Sequence, residues 1–583
     1  MKIGLPRFSA ALFLLVPLLL GGCGGGSGAQ SIAAQVVPPV QGTPPPAASG
    51  PVTYFQSSGL TSSGTIVAGA QQALVAIMSG ASSASGFTSD SLTVSTPGEA
   101  TPSTRVAHAR SVGSARVPVE AFPADDRDLV QRVQSLARAG DPSEPSRVTQ
   151  TVLPGTLSVG SSAPIWVQKG SLGGARVNVQ VPAVLALQTA HANIWVDSAL
   201  PLTPDELAAI GRDFENAYAS DTEHFASPDY ASNAPGLQPR YNACAAGGGV
   251  KGTAAAYITE PADHRIDVMI VNSSNLGGLG GYFSAANLMT QATLNCLNGS
   301  TTTYESNEAP FIFVGWFAGS GTEYDLQEDL VRSTAHELQH LINFVNHGIL
   351  AAGASSASFN GNETPYINEG LSMLAQDLAV AAMYGGKGVQ FDADDALARA
   401  NVYLAAPANF SLSAFTGVDP VAWGGNGTPQ YNCGGGCYGA AYLFQRYLRD
   451  RFGGDAYTHA METSGATGDR NLQFATGESA PALYGDFALA MAADSLGVDT
   501  GDPRFHFGSL SLNGRYADQF GATTRMDGVF AQPYAAGGTT VNAPVGGFAF
   551  VAMQSVPASG TSVSVTDRAT SPGFLMEVGR AQK

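Results

Sequence analysis

Two long stretches of the chain repeat apolar residues at helical spacing. In the first, Leu326, Leu330, Thr334, Leu338, Leu341, Ile342 and Val345 share one face. Asp325 and Glu328 have capping-box spacing ahead of it, and Gly348 stands where a C-terminal cap belongs. In the second, Thr364 reads as the N-cap and Pro365 as the first helical residue, with Leu371, Leu374, Ala375 and Leu378 as the packing stripe. Thr203 with Glu206 forms another capping box around Pro204 and predicts a helix to about Tyr218. Asp125 to Ala139 places Leu129, Val130, Val133, Leu136 and Ala137 on one face, inside a polar stretch from Glu99 to Pro145 that reads as a long insertion. Shorter β-type runs are Thr65–Ala68, Ala73–Met78, Ser91–Ser95, Ile165–Gln168, Arg176–Gln180, Ala192–Val196 and Arg265–Val271. The tail adds Gly547–Gln554, Ser562–Thr566 and Phe574–Val578.

The order strand, helix, strand before the first long helix predicts a mixed sheet packed on helices, an α+β domain over 189–503. On the same pattern 51–188 is a β-rich accessory domain with the insertion near 99–145, and 504–583 is a small C-terminal β domain. Residues 23–50, mostly Gly, Ser, Ala, Gln and Pro, form a flexible tether. No internal repeat of fixed period is present. Among 583 residues, Lys+Arg 28 against Asp+Glu 46 leaves a net charge of −18, which repels phosphate backbones and argues against nucleic-acid partners. Only 13% of residues are charged, and Gly 70 with Pro 34 is the profile of a loop-rich, strand-containing extracytoplasmic protein.

Lys2 and Arg7 flank the start of an apolar run, Ala10 to Leu20, too short to span a bilayer, and Leu20-Gly21-Gly22-Cys23 follows. The tetrapeptide resembles a bacterial lipobox. That resemblance implies a signal peptide over 1–22, lipidation of the Cys23 thiol and a protein tethered outside a membrane; the alternative is a plain secretory signal. Gly24 resembles the second residue of lipoproteins that move on to an outer membrane. Four cysteines remain in an oxidising compartment. Of their three connectivities Cys244–Cys296 with Cys433–Cys437 is favoured, because Gly434-Gly435-Gly436 can close a small ring. A Cys-based metal site is the alternative, without a CxxC pair to support it.

His336-Glu337-Leu338-Gln339-His340 is an HExxH sequence in the middle of the first long helix. At i and i+4 the two imidazoles project from one face a turn apart, so both can reach one zinc ion, while Glu337 points to the side and can act on water. A third ligand is required. Asn343 and Asn346 stand where a metzincin has glycine and histidine, and His347 is one position off, read as a cation favoured at a helix C-terminus. Glu369, in Asn368-Glu369-Gly370-Leu371-Ser372 on the second helix, is the other solution.

With this spacing the chain resembles the gluzincins. Its wording, His-Glu-Leu-Gln-His-Leu-Ile-Asn with Asn-Glu-Gly-Leu-Ser-Met-Leu-Ala, is similar to the hyicolysin-type neutral zinc metallopeptidases, sharply over about 326–380 and loosely over about 190–500. The resemblance implies a zincin-type catalytic domain, His336, His340 and Glu369 as zinc ligands, Glu337 as general base, and a protein or peptide substrate. Thermolysin-like relatives carry an Asp four residues after the ligand Glu, where this chain has Met373. By the same resemblance Tyr438 opens the helix that supplies an oxyanion donor, and Gly280 to Phe283 is the strand along which a peptide aligns. Tyr366, His459 and His506 are weaker donors, and His459-Ala460-Met461-Glu462-Thr463 departs too far from GxMEN to be used. A peptidase-fold lipoprotein without turnover, acting as a binding or adhesion module, is the rival class. A serine hydrolase finds no GxSxG.

Overall fold

In a computed structural model, the structure describes 157–169, 177–229, most of 258–276, 280–291, 304–316, 323–350, most of 363–417, 435–497 and most of 500–554. Side chains of the first long helix are described from 330, and several strands between 52 and 95 and between 561 and 581 as backbone only. The leader, Cys23, the tether, the helix expected at 125–139 and Cys244, Cys296 and Cys433 lie outside the described residues.

Strand β1 (Ser162–Lys169) pairs antiparallel with β2 (Val177–Gln188), and β2 pairs antiparallel with β3 (Ala192–Asp197). After helix α1 (Pro204–His224), β4 (Ile266–Asn272) lies parallel to β3. Strands β5 (Gly281–Phe283) and β6 (Phe311–Trp316) follow, β6 parallel to β4 and β5 antiparallel to β6. The sheet order is β5-β6-β4-β3-β2-β1, with β5 as a terminal strand. Every residue of β3 is buried, and all of β4 but its last, because central parallel strands are covered on both faces. Side chains alternate between two cores. Ile194, Val196, Val268, Ile270, Ile312 and Val314 meet the helices, while Trp195, Met269, Val271, Phe311 and Phe313 meet Ile165, Val167 and Val181 of β1 and β2. Trp195 Nε1 donates to Asp267 Oδ1 at 2.7 Å, which satisfies a polar pair inside the second core.

The helices that follow are α2 (Glu323–Asn343), which continues as a wider π-helical segment Phe344–Leu350, and α3 (Pro365–Tyr384). Then come α4 (Ala396–Ala405), α5 (Gly435–Arg451), α6 (Asp455–Thr463), α7 (Asp469–Thr476) and α8 (Ala480–Leu496). Helix α2 packs on α1 and α3, and α5 packs on α3 and α4. Leu338, Leu341, Ile342, Leu371 and Leu374 are all at most 1% exposed, each contributing roughly 1.5–3 kcal/mol by burial. No helix among the described residues is long and apolar enough to cross a membrane.

Local signals differ from the structure in several places. The capping box of α1 is present, with Thr203 N donating to Glu206 Oε2 at 2.6 Å and Glu206 N to Thr203 Oγ1 at 3.2 Å, but the helix runs on to His224. Helix α2 starts before Asp325, and the π-helical segment carries the chain past Gly348, so neither expected cap ends it. Thr364 has extended backbone at the N-cap but makes no capping bond. Its N–H and hydroxyl donate instead to Glu363 Oε1, at 2.6 and 3.1 Å.

The strands also pair across the expected domain limits. One further sheet has the order Val52–Phe55, Phe574–Ala581, Ala70–Met78, Phe548–Gln554, Gln532–Pro533. Another has Thr539–Pro544, Ser89–Ser95, Thr561–Asp567, Thr61–Ile66. Both interleave strands from the two ends of the chain, where a separate accessory domain and C-terminal domain were expected. The limit at 188/189 crosses the β2–β3 pairing, for instance Val184 with Val196. Pairing between distant segments leaves no mark on local periodicity, which is why the limits shift. All these elements belong to one compact unit, Gly42–Lys583.

Candidate metal centre

The i, i+4 spacing on α2 sets the His336 and His340 rings 4.8 Å apart between centroids, nearly perpendicular at 78°. Helix α3 crosses beside them and delivers Glu369 in its second turn. Glu369 Oε2 lies 3.3 Å from His336 Nε2 and 3.6 Å from His340 Nε2, and one ligand atom from each of the three residues falls within 4.8 Å of the others. All three are buried, Glu369 to 1% exposure. Burial alone would raise the Glu369 carboxyl, yet the two imidazoles, His340 foremost, hold it down at about 2.

Asn368 and Ser372 fix the chemistry of His340. Its Nδ1 lies 3.1 Å from Asn368 Oδ1, which only accepts, so Nδ1 carries the proton and donates; Ser372 Oγ stands at 3.0 Å from the same nitrogen. Nε2 is thereby turned toward Glu369, with its lone pair there in the neutral ring, and among the described residues neither Glu369 oxygen accepts a hydrogen bond. With the imidazoles protonated the group is an ion pair, and with them neutral a buried carboxylate facing an imidazole lone pair is repulsive unless a cation lies between them. Two imidazoles and a carboxylate are the donor set that zinc takes, so the residues present fit a zinc ion.

Glu337 is set apart from this group. A β-carbon on Gly281 of β5 would stand 3.1 Å from Glu337 Cγ and 3.2 Å from its Oε1, so the carboxylate lies against the terminal strand of the sheet. Glycine is required at 281 by that close approach. Gly370, directly after Glu369, answers a second one: a β-carbon there would stand 2.7 Å from both Ala441 O and Gln445 Cγ of α5. The tight α3–α5 contact brings Tyr438 to the centre, its ring 6.4 Å from that of His336. The Arg399 guanidinium stacks over the tyrosine at 5.1 Å, and Phe415 packs edge-on at 5.3 Å.

The other sequence candidates are placed elsewhere. His347 is buried, and its Nε2 donates to the Met461 carbonyl at 2.9 Å; burial lowers it to about 4, so it is neutral rather than the helix-end cation expected. The Tyr366 hydroxyl is engaged by Asp469 at 3.1 Å and Tyr484 at 2.8 Å. His459 Nε2 donates to the Glu223 carbonyl at 3.0 Å, and His506 Nε2 accepts from Thr500 N at 3.1 Å. Sequence reasoning passed over Glu462. It is fully buried on α6 and accepts from Gln339 Nε2 at 2.7 Å and from Asn343 Nδ2 at 3.0 Å, which anchors α2 from behind. Asp221 of α1 was missed as well. It is wholly buried, burial raises it well above the ordinary carboxyl range, and the charge of His336 is the leading influence in the other direction. Its place in the run Ser220-Asp221-Thr222-Glu223 gave it the look of a solvated helix turn. Comparison with known protein families and with curated proteins returns no match for this chain.

Proposed function

We propose that this chain is a zinc metallopeptidase of the gluzincin type, built on a zincin-type domain. The observation that carries the reading is the convergence of His336, His340 and Glu369 from two helices into one buried group, with His340 Nε2 turned into it. When bound, zinc supplies a Lewis acid that polarises the scissile carbonyl and acidifies the attacking water. Glu337 takes the proton of that water and passes it to the leaving amine. A substrate peptide adds as a strand along β5, whose glycine at 281 leaves the backbone close to Glu337. Tyr438 donates to the oxyanion. The likeness of residues 20–23 to a lipobox extends the proposal to a protein anchored through Cys23 on the outer side of a membrane.

The test is bound zinc measured together with casein hydrolysis, with and without a chelator. Activity should disappear with the metal and return on adding zinc. Glu337→Gln should keep the wild-type zinc content and lose activity by ~10²–10⁴-fold, as removal of a general base does. A Glu337→Gln protein with wild-type turnover would end this reading.

A further inference from the structure

We infer that Asp229, Glu260 and His264 form a second divalent-cation site, suited to a metal of the zinc class and made of residues separate from the His336 centre. Asp229 follows the end of α1, and Glu260 and His264 precede β4. One ligand atom from each falls within 4.8 Å of the other two. His264 Nδ1 lies 2.8 Å from Glu260 Oε1. The Glu260 side chain is only 7% exposed, and its Oε2 is buried and accepts no hydrogen bond among the described residues.

That buried oxygen is the observation a surface acidic cluster lacks. Burying a carboxylate oxygen without a donor is costly, and a second carboxylate, Asp229, adds repulsion. Burial first, and Asp229 after it, push the Glu260 carboxyl up, while His264 pulls it down. The guanidinium of Arg265, next to His264 in the chain, is engaged elsewhere. Arg265 donates to the Thr189 carbonyl at 2.9 Å and reaches Asp263 Oδ2 at 3.4 Å. Asp229 Oδ2 accepts from Ser227 Oγ at 2.8 Å, which orients one carboxylate oxygen as the partners around a metal ligand do.

The ligand chemistry selects the metal. Calcium and magnesium take oxygen donors, whereas one imidazole with two carboxylates is the set of zinc and its neighbours among the divalent transition ions. A cation here would tie the end of α1, the helix that carries Asp221 against the His336 centre, to the entry of β4. It would stabilise the folded chain in proportion to its occupancy.

The experiment is a zinc count on the full-length protein, stripped with a chelator and dialysed against zinc, for four chains: wild type, Glu369→Ala, Glu260→Gln and His264→Asn. Asparagine is chosen at 264 because that residue has φ +53°, a left-handed backbone that asparagine tolerates; glutamine keeps the shape of Glu260. The expected result is two zinc ions in wild type and one in each variant, with casein hydrolysis retained by Glu260→Gln and His264→Asn and lost by Glu369→Ala. The melting temperature of Glu369→Ala should still rise with zinc. Wild-type zinc content in both Glu260→Gln and His264→Asn overturns the site, as does a Glu369→Ala chain that holds no zinc. Calcium displacing this second ion at equal concentration overturns the assignment to the zinc class.

Discussion

Gly281→Ala tests how the edge strand and Glu337 are fitted together. The added methyl would stand 2.8 Å from the Phe313 carbonyl oxygen, against 3.4 Å for ordinary contact, so 3.4 − 2.8 = 0.6 Å must be found. The obstacle on that side is backbone held in the β5–β6 pairing, Tyr282 opposite Phe313, with the two rings stacked at 4.4 Å. The Glu337 side gives more easily, since its Cγ and Oε1 at 3.1 and 3.2 Å need only a few tenths of an ångström. The clash should therefore push β5 outward and turn the Glu337 carboxylate. Overpacking of this kind costs about 1–3 kcal/mol of stability. A catalytic group displaced by about 1 Å costs on the order of 10²-fold in rate. Thermal unfolding, zinc content and kcat/KM on a peptide substrate separate the effects: melting lowered by several degrees, zinc unchanged, kcat/KM down about a hundredfold. Wild-type melting and wild-type kcat/KM together would refute the close approach. Lost zinc would show that the strain reaches the ligands instead.

Glu369→Ala should give a folded chain, because the packing through Leu371 and Leu374 is untouched, with little zinc at this centre and almost no hydrolysis, partly recovered in excess zinc; Glu369→Asp should fall between. Full zinc affinity in Glu369→Ala would move the third ligand elsewhere. Tyr438→Phe should leave zinc and KM near wild type and lower kcat by about 10²–10³-fold, and an unchanged kcat would remove Tyr438 from the chemistry. For Glu462 the sign follows from burial, which raises the carboxyl to about 8 from 4.5. The folded chain keeps a proton the unfolded chain has lost, so stability falls as pH rises from about 5 to 8, by up to a few kcal/mol in order of magnitude. Glu462→Gln should flatten that decline in melting temperature, and an identical slope would show that Glu462 ionises normally.

Much of the centre was legible because its residues report through short-range rules. The spacing of His336 and His340 needs only helical geometry, and the stripe from Leu326 to Val345 supplies the helix. Glu369 was reached through Pro365, the leucines after it and a family likeness, and the structure brings it beside both histidines. What escaped depends on distant contacts. Asp221 and Glu462 are charged residues in polar neighbourhoods, and nothing nearby marks them as buried against α2. The pairing of Ala70–Met78 with both Phe548–Gln554 and Phe574–Ala581 joins segments several hundred residues apart, so the two ends read as two domains. The π-helical turn after Asn343 also overrode a cap signal, because Phe344 and Val345 before Gly348 and Ile349 after it keep one buried face.

The gluzincin resemblance leads one to expect a carboxylate four residues after Glu369 to orient one of the histidines, and this chain has Met373 there. At about 100° per residue, positions 372 and 373 fall about 60° to one side and about 40° to the other side of Glu369, so both stay on its half of the helix. Met373 is wholly buried in the main hydrophobic core. Ser372 orients the imidazole in its place. The serine hydroxyl meets His340 Nδ1 at 3.0 Å and donates in a short bond to Gln339 Oε1. Gln339 in turn donates to Glu462. The two residues between Glu337 and His340 thus divide the work, Leu338 packing α2 into the core and Gln339 linking it to α3 and α6. This polar chain sets the tautomer of His340 and the register of two helices at once. A conservative change at Gln339 should therefore disturb metal binding as well as stability, although Gln339 itself reaches no metal.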